Sequence, residues 1–386
     1  MSLISCFYFY FIYKFDLSKN KIFSIAAFLP IFLLGFSFDL IALGYLDHMM
    51  VYDQFEVNLY LFIIINIILI SGVSAIFFTN KFLKLKNSSI TRNKINDLRS
   101  LHVVYRVLCI LVFIAFLVNF QRVGFSLELL IYSPREYELS FGKYTAINYI
   151  YFLNVLAVFL YVYLNYFKVI KKLDFLFFMT VIVTSVFFGN KSAFLDVFFV
   201  IIFTYLLMEG VTKKIYLSIV ALIPIVFVFF EFVRGGGIDG IFGYLVQGYV
   251  NFYYKIVSMD FVYQSFFVFI SNGFSLIPVE NEILVAKIEK GFILNDKYNT
   301  FTSFYEPYGV FSFFGWFIFF VFTYFVINYF SHKHSILQFI SVLFAWVLFL
   351  SFFSYRFGAF KYQYLIFVVV ILYFILNRLK FKKKVK

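Results

Sequence analysis

The chain has 386 residues, of which 63% are hydrophobic and only 14% charged, and its mean hydropathy is +0.92. A water-soluble domain carries roughly 25% charged residues to cover its surface, so this composition excludes one and points to a membrane-embedded chain. The net charge of +13 does not indicate a nucleic-acid partner: the lysines sit in short clusters between apolar blocks, as loop ends at a membrane do.

Apolar runs of about 17–25 residues are long enough to cross a bilayer. In chain order they fall at 2–13, 22–45, 58–79, 101–120, 146–167, 175–190, 192–208, 215–231, 309–330, 336–355 and 362–377. The first is short, lacks a basic flank and a small-residue cleavage site, and is expected to be a retained helix. These runs predict an all-α, polytopic membrane bundle of about 11 transmembrane helices, with residues 1–386 forming a single transmembrane domain. Two connections stand out for length, 121–145 and 232–308, the second lying between spans 8 and 9. Within it, 241–257 and 261–279 either insert as a pair, giving thirteen spans, or lie as amphipathic or re-entrant helices. The 64 Phe and 31 Tyr fit a coding bias better than an aromatic ligand groove. Cys6 and Cys109 lie in apolar stretches, which argues against a disulfide framework or a metal site.

Basic residues assign the sides. One set of loops, with Arg106 near a helix start, holds 22 of the 33 Lys and Arg but only Asp16, Asp97, Asp174 and Glu209 among the acids. That bias places these loops in the cytoplasm. Eleven spans then put the N-terminus outside and the C-terminus inside, in a bacterial inner membrane.

Cations on the opposite side are the candidate site. They are Arg122 and Arg135 in the first long loop, Lys191 between spans 6 and 7, Arg234 after span 8, and Arg356 and Lys361 between the last two spans. A guanidinium is always charged and offers a rigid fork of donors suited to phosphate oxygens. Arg234 is followed by Gly235, Gly236 and Gly237, which permit close approach of a ligand to the backbone. Its alternative reading is an incidental arginine at a flexible helix exit. Lys191, after Gly189-Asn190, begins a helix whose free N–H groups favour an anion, or it belongs to an ordinary capped turn. Asn299, Thr300 and Thr302, followed by Tyr305 and Glu306, bring hydroxyls, an amide and a carboxylate together before span 9. Glu306 suits a general base, or simply a favourable helix-start charge ahead of Pro307. The histidines His48, His102, His332 and His334 form no metal set. Asp39 and Asp196 are expected to face the bundle interior.

Gly189-Asn190-Lys191, then Phe232-Val233-Arg234-Gly235-Gly236, then Asn299-Thr300-Phe301-Thr302 with Tyr305 through Gly309, taken in order along many spans, resemble the Wzy-type O-antigen and capsule repeat-unit polymerases. The resemblance implies a metal-independent glycosyltransferase of lipopolysaccharide or polysaccharide biosynthesis, without cofactor. Its donor and acceptor would be undecaprenyl-diphosphate-linked oligosaccharides, joined at the periplasmic face, with a chain-length regulator as a partner. Arg234 and Glu306 would be catalytic. Arg122, Arg135, Lys191, Arg356, Asn299, Thr300 and Tyr305 would hold diphosphate and sugar. Glu306 and Lys191 depart from the aspartate and arginine commoner in that family. The rival readings are a flippase of lipid-linked oligosaccharide and an O-antigen ligase, the latter expected to carry an external catalytic histidine.

Overall fold

The computed structural model describes residues 59–82, 95–126, 128, 137, 146–187, 191–209, 313–333, 335–349 and 360–384, with helical positions at 22, 23, 26, 27, 33, 36 and 39. Among these residues the elements are helical. They are α1 Leu59–Phe82, α2 Ile95–Arg122, α3 Ala146–Tyr151, α4 Asn154–Tyr166, α5 Lys172–Val186, α6 Lys191–Glu209 and α7 Phe313–Ser331. A 3-10 turn at Ser335–Leu337 then leads into α8 Gln338–Phe349, and α9 is Phe360–Lys384. In hydrocarbon the backbone must satisfy its own hydrogen bonds, so long apolar segments become helices whatever the propensity of their Ile, Val and Phe residues in water.

Five stretches of described helix are long and apolar enough to cross a membrane: Phe62–Lys81, Leu98–Arg122, Ile147–Tyr166, Phe314–Ser331 and Lys361–Arg378. This chain is a multi-pass membrane protein. The expected eleven spans, or thirteen, are corrected by these helices. The run 175–190 becomes α5, with 15 residues. The run 192–208 becomes α6, with 19 residues, and the described part of 336–355 is the end of the 3-10 turn and the 12 residues of α8. A chain this rich in Phe and Ile stays apolar through its turns, so a hydropathy window runs on past the real helix ends. The runs 2–13 and 215–231, and the segment 232–308, lie outside the described residues.

Helix ends show how the chain turns. After α2, the Phe125 N–H donates to Phe120 O and the Gly124 N–H to Gln121 O, each at 3.0 Å. Gly124 has φ +64°, the left-handed conformation that glycine adopts without a Cβ penalty. The Phe125 ring closes the motif edge-on against Phe120 at 5.2 Å. α4 ends the same way around Lys168, with Val169 donating to Leu164 O and Lys168 to Asn165 O. There the left-handed residue is a lysine, at φ 57°. Between α3 and α4 the ladder only tightens, with Leu153 donating to Ile150 O and Ala157 to Leu153 O, so Ile147–Tyr166 is one span.

The chain divides into two compact units. The first is Met1–Asn87, Val211–Asn328 and Val347–Gln363. In it Phe23 meets Tyr324 edge-on at 4.5 Å, and the Tyr324 hydroxyl donates to Asn80 Oδ1 at 2.8 Å. The second is Ser88–Gly210, Tyr329–Trp346 and Tyr364–Lys386. Here α2 packs on α3, α4 and α5, and α6 packs on α4 and α5. Its contacts are level: Tyr105 reaches Tyr161 and Asp174 near one end, while Phe116 and Phe120 meet Phe187 near the other. Helices α2, α4 and α5 therefore alternate in direction.

Candidate functional site

Arg122 is the last residue of α2, just before the glycine turn. It is exposed, and its Nη1 donates to Asn119 Oδ1 at 3.4 Å. Asn119 is fully buried and donates from Nδ2 to Asn148 Oδ1 at 2.7 Å. One helix turn along the Ile147–Tyr166 span, the Tyr151 hydroxyl donates to Thr184 O at 2.9 Å, and Asn154 Nδ2 donates to Ser185 Oγ at 3.0 Å. Buried amides cost several kcal/mol in hydrocarbon unless paired (about 2–7), and these residues meet one another across α2, α3–α4 and α5. A polar seam thus runs up this end of the second unit to a guanidinium at its rim. Tyr137, in the connection that follows, is buried, and burial pushes its hydroxyl up to about 12.

The sequence-predicted site is only partly described. Lys191 is the first residue of α6. Arg234, Glu306, Arg135, Arg356, Asn299, Thr300 and Tyr305 lie outside the described residues. Asp196 is buried, as expected of a carboxylate inside a helix, and accepts a hydrogen bond from Trp346 Nε1 at 2.6 Å. Asp39 is helical and half-buried.

At the opposite end of α2 is a cluster that sequence reasoning missed. Asp174, fully buried, sits in the first turn of α5. Its Oδ1 accepts from Arg106 Nε at 2.7 Å. Its Oδ2 accepts from the Lys171 N–H at 2.8 Å and pairs with His102 Nε2 at 2.8 Å. Tyr105 adds a bond from its hydroxyl to the Asp174 carbonyl at 2.7 Å. Burial pushes the Asp174 carboxyl up, but the bonds from Arg106, the Lys171 N–H and His102 outweigh it and hold the group down at about 2. An ionised carboxylate only accepts, so His102 presents Nε2–H to it. His102 and Arg106 are four residues apart and share a helix face. That spacing, and a lone acid in the otherwise basic stretch 168–174, were the local signals available.

Five stretches of described helix long and apolar enough to cross a bilayer make this a multi-pass membrane protein, and its second unit carries a polar seam at one end and an ion cluster at the other. No family model, no curated protein and no solved structure matches the chain. The resemblance to Wzy-type polymerases is accordingly corrected. Neither the span count nor any comparison supports that fold or the polymerase function and its keywords. The motifs behind it are a few residues each, in a chain where aromatic and small residues recur throughout.

Proposed function

We propose that this protein lies in a bacterial inner membrane, N-terminus outside and C-terminus in the cytoplasm, and binds a lipid-linked oligosaccharide by its diphosphate at the outer rim. Undecaprenyl diphosphate is the carrier of that chemistry. The observation that carries the reading is Arg122: a permanently charged group at the end of a span, beside an asparagine itself held by a second asparagine. A guanidinium placed this way loses little freedom on meeting phosphate oxygens. The orientation is supported by the cations Arg99, Lys168, Lys171 and Lys172, all exposed at the end of the second unit opposite Arg122, as the excess of cytoplasmic Lys and Arg requires.

Binding is tested in nanodiscs carrying undecaprenyl diphosphate. Arg122→Ala should weaken retention of that lipid about tenfold, the size of one charge-assisted contact, and Arg122→Lys by less. Unchanged retention in Arg122→Ala would remove the reading. Orientation is tested with an impermeant maleimide, in a chain whose Cys6 and Cys109 are replaced by serine. Glu128→Cys should label in intact cells and Lys333→Cys only after permeabilisation; the opposite pattern would sink it.

A further inference from the structure

The Asp174 cluster positions a cation without exhausting it. Arg106 engages Asp174 through Nε, and among the described residues that pair is its hydrogen bonding, so both terminal nitrogens remain open. Its side chain is 36% exposed, against 0% for Asp174. The buried carboxylate therefore anchors the inner side of the guanidinium, and the outer fork is left for another acceptor.

What lies beside that fork is apolar. Ile110, Phe113 and Leu117 follow Arg106 at spacings of four, three and four residues, one stripe along α2, and are 48%, 41% and 41% exposed. From Arg106 to Leu117 the helix rises about 16 Å at roughly 1.5 Å per residue, which is about half of a roughly 30 Å hydrocarbon core. On the neighbouring helix, Leu173 and Leu176 are exposed as well.

We propose that Arg106 and this stripe form a binding site for one anionic phospholipid, its phosphate on the terminal nitrogens of Arg106 and its acyl chain along Ile110, Phe113 and Leu117. A free phosphate would use only the guanidinium; the stripe accounts for the lipid. Fixing the guanidinium through Nε orients a fork that donates to two phosphate oxygens side by side. His102, beside it on the same face, spends its Nε2–H on Asp174 and so helps to hold the carboxylate that fixes the guanidinium. The lipid end of this site is opposite the Arg122 rim, so the two can be emptied separately.

The full chain, reconstituted in phosphatidylcholine nanodiscs with a minority of phosphatidylglycerol, is released into the gas phase and its retained lipids counted by native mass spectrometry. The wild type should hold phosphatidylglycerol in preference to phosphatidylcholine. Arg106→Gln should lower that retention about tenfold, whereas Arg99→Gln, an exposed cation on the same helix, should leave it unchanged. Because removing Arg106 strips a partner from Asp174, Arg106→Lys is run alongside: it keeps the charge and loses the fork, and should retain less lipid than the wild type. Equal retention in the wild type and both Arg106 variants would overturn the site, as would an equal loss in Arg99→Gln, which would mark a diffuse basic surface. Displacement of the lipid by excess inorganic phosphate would also overturn it, in favour of a soluble phosphate ligand.

Discussion

Asp174 and Asp196 are both buried acids of the same unit, yet their surroundings differ in kind. Asp174 stands in the first turn of α5 with both oxygens engaged, by a guanidinium, an imidazole and a backbone N–H. Asp196 lies one turn into α6 and takes the indole N–H of Trp346, whose ring stacks on Phe199 at 4.4 Å. The first is compensated by charge, at a helix end where the cation still reaches the surface. The second meets a neutral donor among aromatic rings. A cation can escort a carboxylate into a membrane protein cheaply only where its other side stays near water or headgroups.

The contrast is sharpest if each acid is removed. Asp174→Ala leaves Arg106 and His102 without their acceptor and the start of α5 uncapped. It should cost about 3 kcal/mol, the lower end for breaking a buried pair, because Arg106 can turn outward. Unfolding in bicelles measures it, with Lys172→Ala, an exposed neighbour, as the reference. Similar losses in the two variants would erase the distinction between an anchored and a solvated charge.

Acid provides a second break. The Asp174 carboxyl is held at about 2 against an ordinary value of 3.8. A depressed carboxyl stabilises the fold above its unfolded value and loses that contribution as pH falls through its folded one. Stability should therefore drop by about 2 kcal/mol between roughly pH 4 and pH 2. Asp174→Asn, which cannot ionise, should lose this component of the acid slope. An unchanged slope in that variant would assign the acid sensitivity to another group.

The sequence was legible where a single local pattern decided the outcome. The runs 58–79, 101–120, 309–330 and 362–377 each became a crossing helix close to the expected limits, since length and apolarity suffice in a bilayer. The same criterion overextended 175–190, because Phe187 carries the apolar signal past the last residue of α5. Arg122 closes α2, and Asn119 three residues earlier is its local neighbour. Asn148, which holds Asn119, is not local. Nor is the Asp174 cluster, whose bonds span 68 and 72 residues. Such pairings depend on which helices pack, and no spacing within one helix encodes that.

The smallest expected effect belongs to Asp196. Asp196→Asn retains an oxygen for the Trp346 indole, so stability should stay within about 1 kcal/mol of the wild type. Asp196→Leu removes the acceptor and leaves a buried N–H unmet. In water-soluble proteins such a loss costs about 1–3 kcal/mol, but interhelical hydrogen bonds in membranes average nearer 0.6. A loss of about 1 kcal/mol is the expected result, with a shift in tryptophan emission reporting the altered ring. If Asp196→Leu instead proved as damaging as Asp174→Ala, a neutral donor would not account for it. The Trp346 bond would then be only a part of what Asp196 contributes to the core.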